Sequence, residues 1–152
     1  MSVPFEGFSE IYKTVKPMLR EGQLVISVIV PLESSLGGRP TRTVQLWDGS
    51  AAEYVSRNLP KNVDLVAAFN NVSAEMLHNL NGKVDCDVLV CGGREESKRR
   101  VLDLVNAIPG SRGVDAGPLE NARTIEQMTA LLVGLNIRHG VKGAGIRITG
   151  LP

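Results

Sequence analysis

Short apolar runs rich in β-branched residues alternate along this chain with longer amphipathic stretches, and this alternation constrains the fold more than any other feature. The runs at 24–30, 64–69 and 87–91 have the length and composition of buried strands. Strands that alternate with helices form β-α-β units, in which neighbouring strands are mostly parallel. We therefore predict an α/β fold with a mostly parallel sheet.

The amphipathic stretches predict the helices that connect these strands. Ser50 and Ser73 precede two of them and have the side chains of helix N-caps. Pro118 suits the first turn of the longest predicted helix. The predicted helices cover residues 6–19, 50–58, 73–80, 95–108 and 117–139, short strands cover 112–115 and 145–149, and a long loop covers 31–48.

Composition excludes several classes of partner. The net charge is +1 and aromatic residues make up 4% of the chain, so the sequence has neither a basic face for phosphates nor a platform for stacking bases. The basic run Lys98-Arg99-Arg100 is interpreted as a solvated helix face. No apolar run is long enough to span a bilayer, and the N-terminus has no leader-like pattern. We expect a cytoplasmic protein without nucleic-acid or membrane partners.

Cysteine and histidine patterns indicate neither a disulfide nor a metal site. Cys86 and Cys91 flank a predicted strand at an odd separation, which places their thiols on opposite faces. His78 and His139 have no Cys or carboxylate neighbour at metal-ligand spacing. The sequence assigns no catalytic acid, base or nucleophile. Hydride transfer between two cofactors is compatible with this absence, and so is a purely structural domain.

Six segments, in order, are similar to the NADPH-dependent reductases of the deazaflavin coenzyme F-420. Together they extend over nearly the whole chain. They are Ser-Val-Pro-Phe-Glu at 2–6, Val-Pro-Leu at 30–32, Gly-Ser-Ala-Ala-Glu at 49–53, Ala-Ala-Phe-Asn-Asn-Val-Ser-Ala at 67–74, Asp-Cys-Asp-Val-Leu-Val-Cys-Gly at 85–92 and Asp-Ala-Gly-Pro-Leu-Glu-Asn-Ala-Arg at 115–123.

The resemblance implies a truncated Rossmann-like, doubly wound fold with a mostly parallel sheet and a small C-terminal α/β extension. Residues 1–80 would be the second half of an NADP-binding domain, and residues 81–152 would contribute to the deazaflavin site. Met1 falls where the family's fourth strand ends, so the glycine fingerprint and the 2′-phosphate site would be absent. The implied activity is hydride transfer between NADP(H) and F-420. The isolated chain is expected to be inactive or to depend on a partner.

The resemblance also implies a set of cofactor-binding residues at the carboxyl ends of the strands. Those beside the nicotinamide would be Pro4, Phe5, Ser9, Val30, Pro31, Val72, Ser73 and Ala74, and those beside the deazaflavin would be Asn70, Val141 and Ala144. Structural roles compete with four of these assignments. Pro4 could simply end a strand, Phe5 could belong to the core, Ser73 could cap a helix and Ala144 could sit in a tight turn.

Two other functions stay open on the sequence. The chain could be a non-catalytic module that assembles with a partner, or a relative of the pyrroline-carboxylate reductases that reduces a small imine. In the implied sheet order, the strand at 24–30 loses its neighbour and becomes an apolar edge. We expect that edge to be covered by a second copy of the chain or by a partner chain.

Overall fold

The computed structural model describes residues 1–151, in which four strands form one sheet. The strands are β1 (Leu24–Ser27), β2 (Asp64–Ala67), β3 (Asp87–Gly92) and β4 (Arg112–Asp115), and they lie in that order. β1 pairs in parallel with β2, and β3 in parallel with β4, whereas β2 and β3 are antiparallel. The α/β class and the mostly parallel sheet are confirmed. The carboxyl ends of β1 and β2 therefore share one edge of the sheet with the amino ends of β3 and β4. We call this the upper edge.

Helices cover both faces of the sheet. They are α1 (Phe8–Val15), α2 (Ala51–Asn58), α3 (Ala74–His78), α4 (Glu95–Asn106) and α5 (Ala122–His139), with 3-10 turns at Phe5–Gly7, Lys16–Met18, Glu33–Leu36 and Leu119–Asn121. Successive strand residues point to opposite faces. Leu65 and Ala67 pack with α1, α2 and α5, while Val66 and Ala68 pack with α3 and α4.

The first predicted helix is shorter than predicted, and Pro17 is the reason that it ends early. A 3-10 turn at Phe5–Gly7 precedes α1, and a second one at Lys16–Met18 follows it. Proline lacks the amide hydrogen that an α-helix uses, and its ring clashes with the carbonyl four residues earlier. The prediction of one helix over 6–19 was therefore wrong at both ends.

Three predicted strands also end differently in the structure. β2 stops at Ala67 because Phe69 adopts a left-handed backbone with φ 65°, the one such non-glycine residue in the described chain. β1 stops at Ser27, and two residues later the Ile29 carbonyl accepts a hydrogen bond from the Asn70 side chain. The segment 145–149 is not a strand. Its Ile146 carbonyl accepts from Asp87 N, but its Ile148 amide donates to the Asp87 carboxylate instead of to a backbone partner.

Both cysteines are buried and free, as predicted, and they lie on opposite faces of the sheet. Burial raises the pKa of the Cys91 thiol to about 12.

The prediction that Lys98 lies on a solvated helix face was wrong. Lys98 is only 4% exposed, because its ammonium pairs with Glu95 at 2.8 Å and with Asp115 at 2.9 Å. No helix within residues 1–151 combines the length and the apolarity needed to cross a membrane.

The two predicted helix caps have different outcomes. Ser50 caps α2, since its Oγ accepts from Glu53 N at 3.0 Å and donates to the Glu53 carboxylate at 2.8 Å. Ser73 stands at the N-cap position of α3, but its side chain does not cap that helix. Its Oγ donates instead to the Lys142 carbonyl at 2.8 Å. The predicted capping role of Ser73 was wrong, because a residue distant in sequence takes its hydroxyl.

Candidate functional site

Two adjoining cavities open at the upper edge, where the chain leaves β1 and β2. The first, about 250 Å³, lies between the loop after β2 and α5, and we call it the α5 cavity. It is lined by Asn70, Asn71, Val72, Ser73, Ala74, Thr129, Leu132, Val133, Asn136, Lys142 and Ala144. The second, about 440 Å³, is the β1 cavity, lined by Ser2, Val28, Phe69, Asn70, Val72, Ala74 and Leu77. Asn70, Val72 and Ala74 line both. The two cavities therefore adjoin at these three residues.

Asn70 is the most constrained residue of the shared wall. Its side chain is 6% exposed, and its Nδ2 donates to the Ile29 carbonyl at 3.0 Å. Its own carbonyl accepts from Thr129 Oγ1 at 2.9 Å, and the left-handed backbone of Phe69 precedes it. Among the described residues its Oδ1 has no hydrogen-bond donor. A buried acceptor without a partner is costly, and strained backbone concentrates at binding sites, so this oxygen is suited to receive an N–H from a ligand.

Helix α5 braces the site with three polar side chains on one face. Glu126 accepts from the amides of Ala51 and Ala52 at the start of α2, at 2.9 and 3.1 Å. Thr129 binds the Asn70 carbonyl, and Asn136 Oδ1 accepts from Ala144 N at 2.9 Å. One helix thereby fixes the start of α2, the loop after β2 and the segment after α5 relative to one another.

Glu126 is 2% exposed, and burial is the main reason that the pKa of its carboxyl group rises to about 7. The negative charge of Glu53 adds to this effect, whereas the two amide donors oppose it. In the unfolded chain a glutamate titrates near 4.3. The unfolded state therefore loses its proton at a lower pH than the folded state. Stability from this group is present below about pH 4.3 and is lost as the pH rises through about 7.

We expect the free energy of unfolding to fall by roughly 3 kcal/mol between pH 4.5 and 7.5 because of Glu126. In Glu126→Gln most of this slope should be gone, since glutamine does not titrate. Urea unfolding at both pH values would measure the difference between the two proteins. Parallel pH profiles would show that Glu126 is ionised in the folded state at all these pH values.

The walls of the two cavities are almost entirely neutral. Of the residues that line them, Lys142 is the one whose side chain carries charge, and the others are apolar, hydroxyl or amide groups. Within residues 1–151 no cluster of His, Cys, Asp or Glu side chains could hold a metal ion. Such walls can position a planar ligand and exclude water from it, while the reacting atoms belong to the ligands.

Five of the sequence-predicted site residues lie together in the structure. Asn70, Val72, Ser73, Ala74 and Ala144 all line the α5 cavity. The other six line neither cavity. Pro4 and Ser9 are exposed, Val30 is half-buried, Pro31 is buried, Val141 is exposed and Phe5 is half-buried. The Phe5 ring packs edge-on against Tyr54, with ring centroids 6.0 Å apart.

Sequence reasoning missed the contribution of α5. Thr129, Leu132, Val133 and Asn136 line the α5 cavity, and Asn136 also fixes Ala144. A signal was present, because Glu126, Thr129 and Asn136 repeat at helical spacing within an otherwise apolar stretch. Polar residues on the buried stripe of a helix require partners, and here these partners are backbone groups of the site.

Comparison with known proteins gives this geometry a family. The chain is 47% identical over 151 residues to the F-420-dependent NADP reductase of Methanocaldococcus jannaschii, covering 99% of the chain and 67% of that protein. It is 42% identical to the protein of that name from Methanothermobacter marburgensis, over 100% of the chain and 68% of the relative. The chain belongs to the F-420-dependent NADP reductase family. It spans about two thirds of the length of these relatives.

Further comparisons agree with this family and with its fold. The F-420-dependent NADP reductase of Methanothermobacter thermautotrophicus is 40% identical over 100% of the chain and 66% of its own length. A crystal structure of a proposed F-420-dependent NADP reductase from Arthrobacter sp. superposes with a TM-score of 0.84 at 19% identity, over 97% of the chain and 67% of that structure. The crystal structure of a Sinorhizobium meliloti protein superposes with a TM-score of 0.62 at 24% identity, over 84% of the chain and 59% of that structure. These two structures support the Rossmann-like α/β fold. No family model matches the chain.

Proposed function

We propose that this chain forms the part of an F-420-dependent NADP reductase in which hydride passes between NADPH and the deazaflavin ring of F-420. The observation that carries this proposal is the pair of adjoining cavities with a common wall at Asn70, Val72 and Ala74. The deazaflavin ring would occupy the α5 cavity, and the nicotinamide would occupy the β1 cavity. Hydride transfer requires the two rings to be held face to face and needs no acid or base at the reacting carbons.

The positions of the two cavities indicate which segment of the chain would bind each cofactor. The β1 cavity is built wholly by residues up to Leu77, within the segment 1–80 that we assign to the NADP-binding half. The α5 cavity needs Thr129, Asn136 and Ala144 from the segment 81–152, which we assign to the deazaflavin. Among the predicted residues outside the cavities, Pro4, Val30 and Pro31 would support the nicotinamide side from the same edge. The buried free thiols of Cys86 and Cys91 fit a reducing compartment, and we place the protein in the cytoplasm.

The experiment that tests the function follows the transferred atom. NADPH carrying deuterium at the reactive carbon of nicotinamide is mixed with oxidised F-420 and the protein, and the reduced deazaflavin is analysed by mass spectrometry. Because the isolated chain is expected to turn over very slowly at most, the expected result is slow incorporation of one deuterium, from only one of the two stereoisomers. If F-420 binds but no deuterium is transferred under any condition, the chain is a non-catalytic binding module instead.

Asn70 should contribute to ligand affinity through its unpaired oxygen. In Asn70→Leu we expect the dissociation constant for F-420 or for NADPH to rise roughly 10- to 100-fold, because a ligand N–H would be left without its acceptor. Fluorescence titration of both ligands identifies which of them uses this oxygen. Thermal unfolding of the variant separates this effect from the loss of the bond to the Ile29 carbonyl. Unchanged affinity for both ligands in a folded variant would remove Asn70 Oδ1 from the binding site.

We also propose that another strand covers the free edge of β1 in the functional molecule. Within residues 1–151, β1 has β2 as its one neighbouring strand. Met1 already binds the end of that edge as a parallel strand would, because its amino group donates to the Ile26 carbonyl and its carbonyl accepts from Val28 N at 3.2 Å. Beside the remaining edge lies an open groove of about 670 Å³ lined in part by Leu24, Ile26 and Leu104. Uncovered edges of this kind pair with other chains.

The isolated chain should therefore self-associate at tens of micromolar, and Ile26→Lys should shift it toward monomer. Leu104→Lys places a charge in the same groove from an exposed position, so it tests the surface even if the first variant unfolds. Leu80→Lys, at a residue that is 92% exposed and outside the groove, is the control. Light scattering decides: a monodisperse monomer of the unmodified chain would show that this edge does not recruit a strand.

A further inference from the structure

A third cavity, of about 400 Å³, adjoins the α5 cavity and has a different character. Its lining includes two lysines, Lys83 and Lys142, together with the amide side chain of Asn79. Lys142 lines this cavity and the α5 cavity alike. We call it the lysine cavity. The two cavities therefore adjoin at Lys142.

The lysine cavity carries an excess of positive charge. One carboxylate, that of Glu75, is among its lining residues, against the two ammonium groups. Glu75 pairs with Lys142 at 3.5 Å, and the side chains of this pair are 64% and 80% exposed. Exposed pairs of this length contribute little and exchange readily with other anions. Lys142 is therefore available to a stronger anionic ligand.

The segment that carries Lys142 is held in place from both sides. Ser73 Oγ binds the Lys142 carbonyl at 2.8 Å, while Asn136 binds Val141 N through its carbonyl at 3.0 Å and Ala144 N through its side chain at 2.9 Å. Gly143 lies against Met76 so closely that an added Cβ would approach the sulfur to 3.3 Å. The backbone of Lys142 is thus fixed relative to the α5 cavity, which limits the backbone entropy lost when a ligand binds.

We propose that the lysine cavity binds an anionic group, phosphate or carboxylate, on the tail of the ligand whose ring occupies the α5 cavity. This inference rests on the proposed function, in which that ligand is F-420, a deazaflavin whose side chain carries a phosphodiester and carboxylates. Lys142 and Lys83 supply the positive charge, and Asn79 supplies a neutral amide donor. The cavity would then discriminate F-420 from deazaflavins with the same ring and no anionic tail.

The test compares F-420 with the tail-free ribityl deazaflavin that has the same ring, using fluorescence titration of the full chain at low salt. We expect F-420 to bind roughly tenfold more tightly, and this advantage should shrink as salt is added. In Lys83→Ala, at a residue that lines the lysine cavity and not the α5 cavity, the advantage should shrink while the affinity for the tail-free compound stays the same. In Lys83→Ala/Lys142→Ala the advantage should fall to about twofold or less. Glu75→Gln should act in the opposite direction and tighten F-420 binding, because it removes the competing carboxylate. Lys61→Ala is the control, since Lys61 precedes β2 and lies at the other edge of the sheet.

The possible results separate this inference from the function on which it rests. Equal affinity for the two deazaflavins, or equal weakening of both in Lys83→Ala, overturns the proposed role of the lysine cavity and leaves the ring site unaffected. If neither deazaflavin binds, the ring site fails and the inference fails with it. NADPH and inorganic phosphate are titrated in parallel. If the double variant weakens NADPH and not F-420, the anion belongs to the dinucleotide and the proposal is wrong.

Discussion

Asp87→Asn is expected to lower the free energy of unfolding by about 3 kcal/mol, which for a chain of this size corresponds to a fall in melting temperature of roughly 6 to 12 °C. The Asp87 side chain is fully buried. Its carboxylate accepts from Arg112 at 2.7 and 3.0 Å, from Arg147 at 2.9 Å and from Ile148 N at 2.7 Å. Asparagine keeps the volume but removes the carboxylate charge that Arg112 and Arg147 share. It also loses an acceptor that holds the C-terminal segment to the sheet.

The matched control is Asp85→Asn, which removes the other carboxylate that pairs with Arg147. The Asp85 side chain is 83% exposed and pairs with Arg147 at the surface. Its loss should cost less than about 1 kcal/mol. Urea unfolding of the two variants, side by side, gives the comparison. Equal effects would mean that burial of Asp87 adds nothing to its ion pairs.

The pH dependence provides a second measurement of the same site. The hydrogen bond from Arg112 is the main reason that the pKa of Asp87 lies well below its usual range, and burial opposes this effect. A lowered pKa means that the stabilisation is present above the unfolded value, near 3.9, and is lost as the pH falls below it. Asp87→Asn should therefore lose part of the acid sensitivity of the original chain. Glu126 acts at higher pH and with the opposite sign, so the two effects can be measured separately.

Ala144→Trp is expected to weaken F-420 binding by at least about 100-fold, or about 2.7 kcal/mol. Ala144 lines the α5 cavity, and its amide is held by Asn136, so the backbone cannot easily withdraw to make room for an indole ring. The cavity is about 250 Å³, and a tryptophan side chain would occupy much of the space proposed for the deazaflavin. Fluorescence titration with F-420 measures the loss.

Val141→Trp is the matched control, three residues away in the same segment. Val141 is 49% exposed and lines neither cavity, so its replacement should leave the affinity for F-420 within about twofold. The pair also tests two residues that the family resemblance implies. A large loss in Val141→Trp would return Val141 to the deazaflavin site. Unchanged binding in Ala144→Trp would place the ring elsewhere.

The sequence was a good guide to where the elements lie and a poorer guide to where they end. β4 was predicted to the residue, and the predicted end of α5 at His139 is confirmed, because Gly140 takes the left-handed backbone that ends a helix. Errors arose where a local irregularity decides the boundary. Pro17 shortens α1, and the positive φ of Phe69 shortens β2. Proline is visible in a sequence, whereas an unusual backbone angle at phenylalanine is not.

The candidate site was only partly predictable, for a physical reason. Residues 70–74 follow a strand directly, and the carboxyl end of a strand is where α/β folds bind ligands, so Asn70, Val72 and Ala74 followed from the family resemblance together with that rule. The opposite wall comes from α5, whose start lies 48 residues further along the chain, at Ala122. No local pattern states which face of that helix will meet which loop.

Hydrophobic periodicity, turn residues and charge balance determined the α/β class, the alternation of strands and helices, and the buried, unpaired state of the cysteines. These are properties of short segments, and each is set mainly by local backbone preference and by the alternation of apolar side chains. The tertiary structure alone decided the reversal of direction between β2 and β3, the burial of Lys98 and the unpaired oxygen of Asn70. Each of these depends on partners distant in the chain: Asp115 for Lys98, and Ile29 and Thr129 for Asn70. Such contacts form only when the whole core closes, because the burial of many residues together offsets the entropy of bringing distant segments into contact.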